Sequence, residues 1–145
     1  MFAFWERSYS KVYHNITKEQ IWQTWTDINN WHTWDSDIEF CKLEQPFEVG
    51  SHFTLKPKGA PAVQIKLIEI IKYQKFTDCT KFFGAKMYGT HEIEEIPQGV
   101  KLTTTMKVTG PLGFIWRKLV AENIAKTMPE QTDALVARAQ SQEKL

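Results

Sequence analysis

The chain has 145 residues, 42% hydrophobic and 24% charged, which fits one globular domain over residues 1–145 with enough apolar material for a core and a cavity. Eighteen Lys and Arg against 17 Asp and Glu leave a net charge of +1, so composition gives no electrostatic reason to expect nucleic acid or an anionic membrane surface as partner. The opening residues lack a basic region followed by an apolar core, and no stretch reaches the roughly 20 apolar residues that span a bilayer. A soluble, cytoplasmic protein with no stable membrane insertion is therefore expected, its oligomeric state left open.

Residues 3–14 interleave Phe4, Trp5, Tyr9, Val12 and Tyr13 with polar residues and predict a first strand. Thr17-Lys18-Glu19-Gln20 has the form of a capping box, with Ile16 and Ile21 in the two hydrophobic-staple positions, so a helix should start at Lys18. Ile21, Trp25 and Ile28 give it an apolar face, with Trp22 beside them, and Asn29-Asn30 favours a turn at its end. Trp31 and Trp34 are spaced to share a face if the chain takes another helical turn, and would then seal one end of the core.

From Ser36 to Val108 the pattern becomes short β-type runs separated by Gln45-Pro46, Val49-Gly50, Lys58-Gly59-Ala60-Pro61, Phe83-Gly84 and Pro97-Gln98-Gly99. About six strands joined as an antiparallel meander are predicted, with no room for intervening helices. Alternation turns Phe53 and Leu55 inward, then Val63, Ile65 and Leu67. Ile68-Glu69-Ile70-Ile71 is apolar on both sides and marks a bulge or a doubly covered region. Beyond it Phe76, Asp78, Thr80 and Phe82 share the inner face, followed by Met87, Gly89, His91 and Ile93, and by Val100, Leu102, Thr104, Met106 and Val108.

Gly110-Pro111-Leu112-Gly113 leads into a helix predicted over residues 111–142, whose apolar face carries Leu112, Trp116, Leu119, Val120, Asn123 and Ile124. Pro129 falls inside this pattern, where it would cost on the order of 3 kcal/mol in a regular helix, so a kink or break is expected there. The bend would turn Met128 and Leu135 toward a second region of the sheet.

Three motifs in this order resemble a known superfamily. Asn15-Ile16-Thr17-Lys18-Glu19-Gln20-Ile21-Trp22 is similar to its capped "vW" helix start, Asp27-Ile28-Asn29-Asn30-Trp31-His32-Thr33-Trp34 to its "D..nW..W" stretch, and Val49-Gly50-Ser51-His52-Phe53 to its "G..f" strand start. The chain resembles the START-like or SRPBCC superfamily, polyketide cyclase/dehydrase-like branch, along nearly its whole length; His14 departs from the apolar residue usual there. The resemblance implies an α+β helix-grip fold: a curved antiparallel sheet of about seven strands around a long C-terminal helix, with two short helices after the first strand. It also implies a cavity between sheet and helix for a hydrophobic small molecule such as a lipid, sterol or polyketide, used across the family for transport, sensing or catalysis.

The candidate cavity residues are Trp34, Phe53, Leu55, Ile65 and Leu67, then Phe76, Phe82, Met87 and His91, then Leu102, Thr104 and Met106, and on the helix Trp116, Val120 and Ile124. Histidine is the side chain whose free ring changes charge near neutral pH, so His91 is a candidate proton shuttle as well as a candidate core histidine. Asp78 could act as a base on an acidic C–H if it faces the cavity, although a one-residue register slip would put it in solvent. Thr104 and Tyr88 could offer hydroxyls. Cys41 and Cys79 form no CxxC pair, the four histidines lack metal-ligand spacing, and no phosphate loop or nucleophile elbow is present, so no metal and no cofactor are expected. Three functions compete: a carrier of a hydrophobic molecule, a cyclase, dehydratase or isomerase using His91 and Asp78, and an interaction module using exposed tryptophans, which would need an apolar patch outside the cavity.

Overall fold

The alternating runs pair into a single sheet. A computed structural model describes residues 5–142, in which β1 (Trp5–Tyr13), β2 (Ile38–Lys42), β3 (His52–Pro57), β4 (Val63–Ile71), β5 (Lys75–Phe82), β6 (Ala85–Ile96) and β7 (Gly99–Thr109) are ordered β1-β7-β6-β5-β4-β3-β2. All neighbours are antiparallel. The meander runs from β2 to β7, and β1 adds beside β7 after two short helices, α1 (Lys18–Thr26) and a 3-10 helix (Ile28–Thr33). With a C-terminal helix across the inner face, this is the helix-grip fold.

Local chemistry sets the joints. Thr17 caps α1 by accepting from the Gln20 amide at 3.1 Å, while the Gln20 side chain accepts from the Thr17 amide at 2.8 Å. The predicted bulge falls at Ile68, where the β4–β5 register steps from Leu67 opposite Asp78 to Glu69 opposite Thr77. Ile21, Trp22, Trp25, Ile28 and Trp31 are buried and close one end of the grip, where Trp22 and Trp25 meet Phe76 edge-on. Residues 3, 4 and 14 of the predicted first strand lie outside β1, the first two outside the described residues.

The C-terminal helix departs from the expectation of one regular helix bent at Pro129. It runs as α2 (Gly113–Trp116), a π-helical turn (Arg117–Ala121), α3 (Glu122–Lys126) and α4 (Met128–Gln142). The π turn closes with the Glu122 amide bonded to the Arg117 carbonyl, and the two side chains pair at 2.9 Å. A wider turn shifts the helical phase, so Leu119, assigned by spacing to the covered face, is 63% exposed, while Ala121 is fully buried. The break falls at Thr127, two residues before the proline. Thr127 ends α3, its hydroxyl donating to the Ile124 carbonyl at 2.9 Å, and Pro129 occupies the first turn of α4, where its missing N–H costs nothing.

Past the break, α4 buries Met128, Thr132, Leu135, Val136 and Ala139 and packs on α1. Its outer side is tied to β1: Lys11 Nζ and Tyr13 Oη both donate to Asp133 Oδ1, at 2.8 and 2.6 Å. These bonds hold the Asp133 carboxyl below the usual carboxylate range. Burial, with the same bond, pushes the Tyr13 phenol well above its ordinary value.

Candidate functional site

The sheet's curvature and the helices enclose a cavity of about 460 Å³. Its wall is built by Leu55 (β3), Ile65 (β4), Phe76, Asp78 and Thr80 (β5), Met87, Gly89 and His91 (β6), and Thr104 and Met106 (β7). Trp25, Trp31 and Trp34 close one side, and Ile124, Thr127, Met128, Gln131 and Leu135 form the helical side. The exposed lining residues Asp37, Lys58 and Asn123 mark the mouth, between the β2–β3 end of the sheet and α3.

The cavity's polar centre comes from strand register. Phe76 stands opposite His91 and Asp78 opposite Gly89, so the carboxylate and the imidazole are diagonal neighbours on β5 and β6. Asp78 Oδ2 lies 3.6 Å from His91 Nε2, a close approach longer than a hydrogen bond. The His91 ring stacks on Phe76 with centroids 4.5 Å apart and meets the Trp25 ring at 5.7 Å, which fixes its plane. Gly89 supplies the room: a Cβ there would lie 3.0 Å from Asp78 Oδ1.

A second carboxylate, Asp35, is 8% exposed and accepts from the Asp37 amide at 3.0 Å; burial pushes its carboxyl above the usual carboxylate range. Burial, with Asp35 adding to it, pushes the nearby Cys41 thiol up to about 12, a value at which the reactive thiolate is scarce at neutral pH. Both cysteines are unpaired and buried. Among the described residues no three His, Cys, Asp or Glu side chains group closely enough to hold a metal ion.

The candidates from the sequence divide by position. Trp34, Leu55, Ile65, Phe76, Met87, His91, Thr104, Met106 and Ile124 line the cavity, and Asp78 and Tyr88 do too, so the register leaves Asp78 facing inward. Phe53, Leu67 and Leu102 face inward on the same strands but lie off the cavity, each no more than 1% exposed, where core packing fills the space. Phe82 and Trp116 also lie off it, because they stack on each other with centroids 4.5 Å apart and the Trp116 indole donates to the Phe83 carbonyl at 2.7 Å. Val120 sits in the π turn, short of the lining. Met128 and Leu135 face this same cavity rather than a second region. Spacing did not single out Asp35, Lys58, Thr127 or Gln131, which reach the cavity only through the connection before β2, the β3–β4 turn and the helix break.

The profile of the family described as polyketide cyclase / dehydrase and lipid transport matches residues 7–140. The chain belongs to that family. No curated protein matches it by sequence. Among solved structures, a Helicobacter pylori hypothetical protein is 15% identical with a TM-score of 0.72, over 94% of this chain and 88% of its own. Norcoclaurine synthase from Thalictrum flavum is 9% identical with a TM-score of 0.75, over 99% and 98% of the two chains. The di-domain ARO/CYC protein StfQ of the steffimycin biosynthetic pathway is 9% identical with a TM-score of 0.77; the match covers 98% of this chain and 52% of StfQ. At these identities the likenesses establish the shared fold. Among the described residues no helix of this family member is long and apolar enough to cross a membrane.

Proposed function

We propose that this protein binds an apolar, ring-bearing small molecule between its sheet and C-terminal helix and acts as a carrier. The observation behind this reading is the cavity: about 460 Å³, within the roughly 300–1,000 Å³ range of small-molecule sites, with Trp25, Trp31 and Trp34 on its aromatic side. The family description includes lipid transport, and norcoclaurine synthase has been solved with dopamine and hydroxybenzaldehyde, two ring-bearing molecules. Native mass spectrometry of protein purified from its own host should detect a co-purified apolar molecule, absent from an Ile124→Trp variant whose indole occupies the cavity. If neither co-purification nor saturable quenching of the cavity tryptophans by aromatic probes is seen, the reading fails.

A second reading, proton transfer in a cyclase or dehydratase, is favoured by the 3.6 Å approach of His91 to Asp78 beside Gly89. In it Asp78 accepts a proton from an acidic C–H and His91 passes one to the oxygen that gains charge. His91→Ala or Asp78→Asn should then abolish turnover and leave ligand binding nearly intact. Equal loss of both would argue for carriage alone.

A further inference from the structure

The cavity leaves one surface unexplained, where the β5–β6 hairpin meets α2. The two-residue hairpin loop carries Phe83, 83% exposed, and the first turns of the C-terminal helix carry Phe114 and Leu119, each 63% exposed, and Ile115. The two parts are joined rigidly: the Trp116 indole donates to the Phe83 carbonyl at 2.7 Å, and the Leu112 amide bonds to the Gly84 carbonyl at 2.9 Å. Phe114, Ile115, Lys118 and Leu119 are all exposed, while Gly113 and Ala121 on the other side of the helix are buried. This is the apolar patch an interaction module requires, built from phenylalanine and leucine rather than tryptophan.

Its rim is basic. Lys81 and Lys86 stand directly opposite each other on β5 and β6, and both act electrostatically on Cys79, as does Lys66. Like charges facing across a strand pair are unfavourable unless an anion relieves them, and among the described residues Lys66, Lys81, Lys86 and Lys118 enter no salt bridge. Of the neighbouring carboxylates, Glu122 is held by Arg117 and Asp78 faces the cavity. The net charge of +1 conceals this cluster because acids elsewhere cancel it.

We propose that this surface docks the protein reversibly on an anionic lipid bilayer, with Phe83, Phe114 and Leu119 entering the acyl boundary and the lysines meeting headgroup phosphates. Two features favour lipid over protein. The most exposed apolar group, Phe83, sits at the tip of a hairpin with Phe114 and Leu119 along the adjoining helix, and the cations are lysines, which are depleted in protein interfaces but well suited to a diffuse anionic surface. The inference goes beyond ligand binding and does not depend on it, yet the two surfaces adjoin. Thr80 and Met87, on the strands that carry Lys81 and Lys86, line the cavity, as does Asn123, one helical turn past Leu119.

The test is co-sedimentation of the full chain with phosphatidylcholine vesicles and with vesicles containing about one quarter phosphatidylglycerol. The protein should pellet with the anionic vesicles, be released by high salt, and leave the neutral ones largely unbound. Phe83→Ser combined with Leu119→Ser, and separately Lys81→Gln combined with Lys86→Gln, should each lower partitioning about tenfold with an unchanged circular dichroism spectrum, since all four side chains are exposed. Equal partitioning on both vesicles, or variants that bind as well as the native chain, overturns the proposal. A solution dimer that the apolar variant dissociates, without vesicle binding by the native chain, assigns the surface to a second copy. Probe binding in the cavity, measured on the same variants, should be unchanged in every case.

Discussion

Between Met128 and Ala139 the C-terminal helix buries five side chains against α1 and the sheet, whereas between Gly113 and Lys126 it buries only Gly113 and Ala121. The second half is a packed strut that also supplies most of the cavity's helical side, whereas the first half reaches the cavity only through Asn123 and Ile124 and exposes apolar groups. The difference follows from backbone chemistry. The π turn and the break at Thr127 interrupt the regular ladder of the first half, while α4 is continuous and tied to β1 through Asp133. Regions with few buried contacts open most readily, so the two halves should differ in stability as well as packing.

The contrast can be broken most severely from the aromatic end that α4 helps to close. Phe76 is fully buried beneath Trp22, Trp25, Phe47 and His91, and Phe76→Ala should cost about 3–5 kcal/mol by denaturant unfolding. Comparing the halves directly, Leu135→Ala should cost about 2–5 kcal/mol and Leu119→Ala should stay within roughly 0.5 kcal/mol. Similar losses at the two leucines would mean that the halves are equally load-carrying. Thr17→Ala removes a cap from α1, against which α4 packs, and should lower stability by about 1 kcal/mol.

How much of this could be read in advance depends on whether the cause was local. The capping box, the bulge at Ile68 and the strand alternation are short-range patterns, and the structure repeats them. The π turn is not such a pattern, because nothing in Arg117–Ala121 announces an extra residue in a turn; spacing therefore placed Leu119 on the covered face. Pro129 signalled an interruption, but a proline fits the first turn of a new helix, so the break moved to Thr127. Cavity membership was harder still. Phe53 and Leu55 both point inward on β3, and only the packing of Trp31 on Phe53, with ring centroids 5.5 Å apart, separates core from cavity.

The smallest effect sharpens the tie between β1 and α4. The folded Asp133 carboxyl titrates below its unfolded value, so its contribution is present above about pH 4 and is lost as pH falls through the lower folded value. The group is exposed, so the contribution is a fraction of a kcal/mol. Asp133→Asn should flatten that part of the stability-versus-pH curve, measured by thermal unfolding at matched ionic strength.

Gly89 and Asp78 share one volume of space between two strands, and this makes their substitutions interdependent. Alanine at Gly89 competes with the carboxylate that leans over it, yet in an Asp78→Ala background the same alanine meets no carboxylate. Their effects should not add in a double-mutant cycle. A side chain at residue 89 would displace the carboxylate from its place on the floor, so where the cavity's polar centre lies is a property of the pair rather than of Asp78 alone.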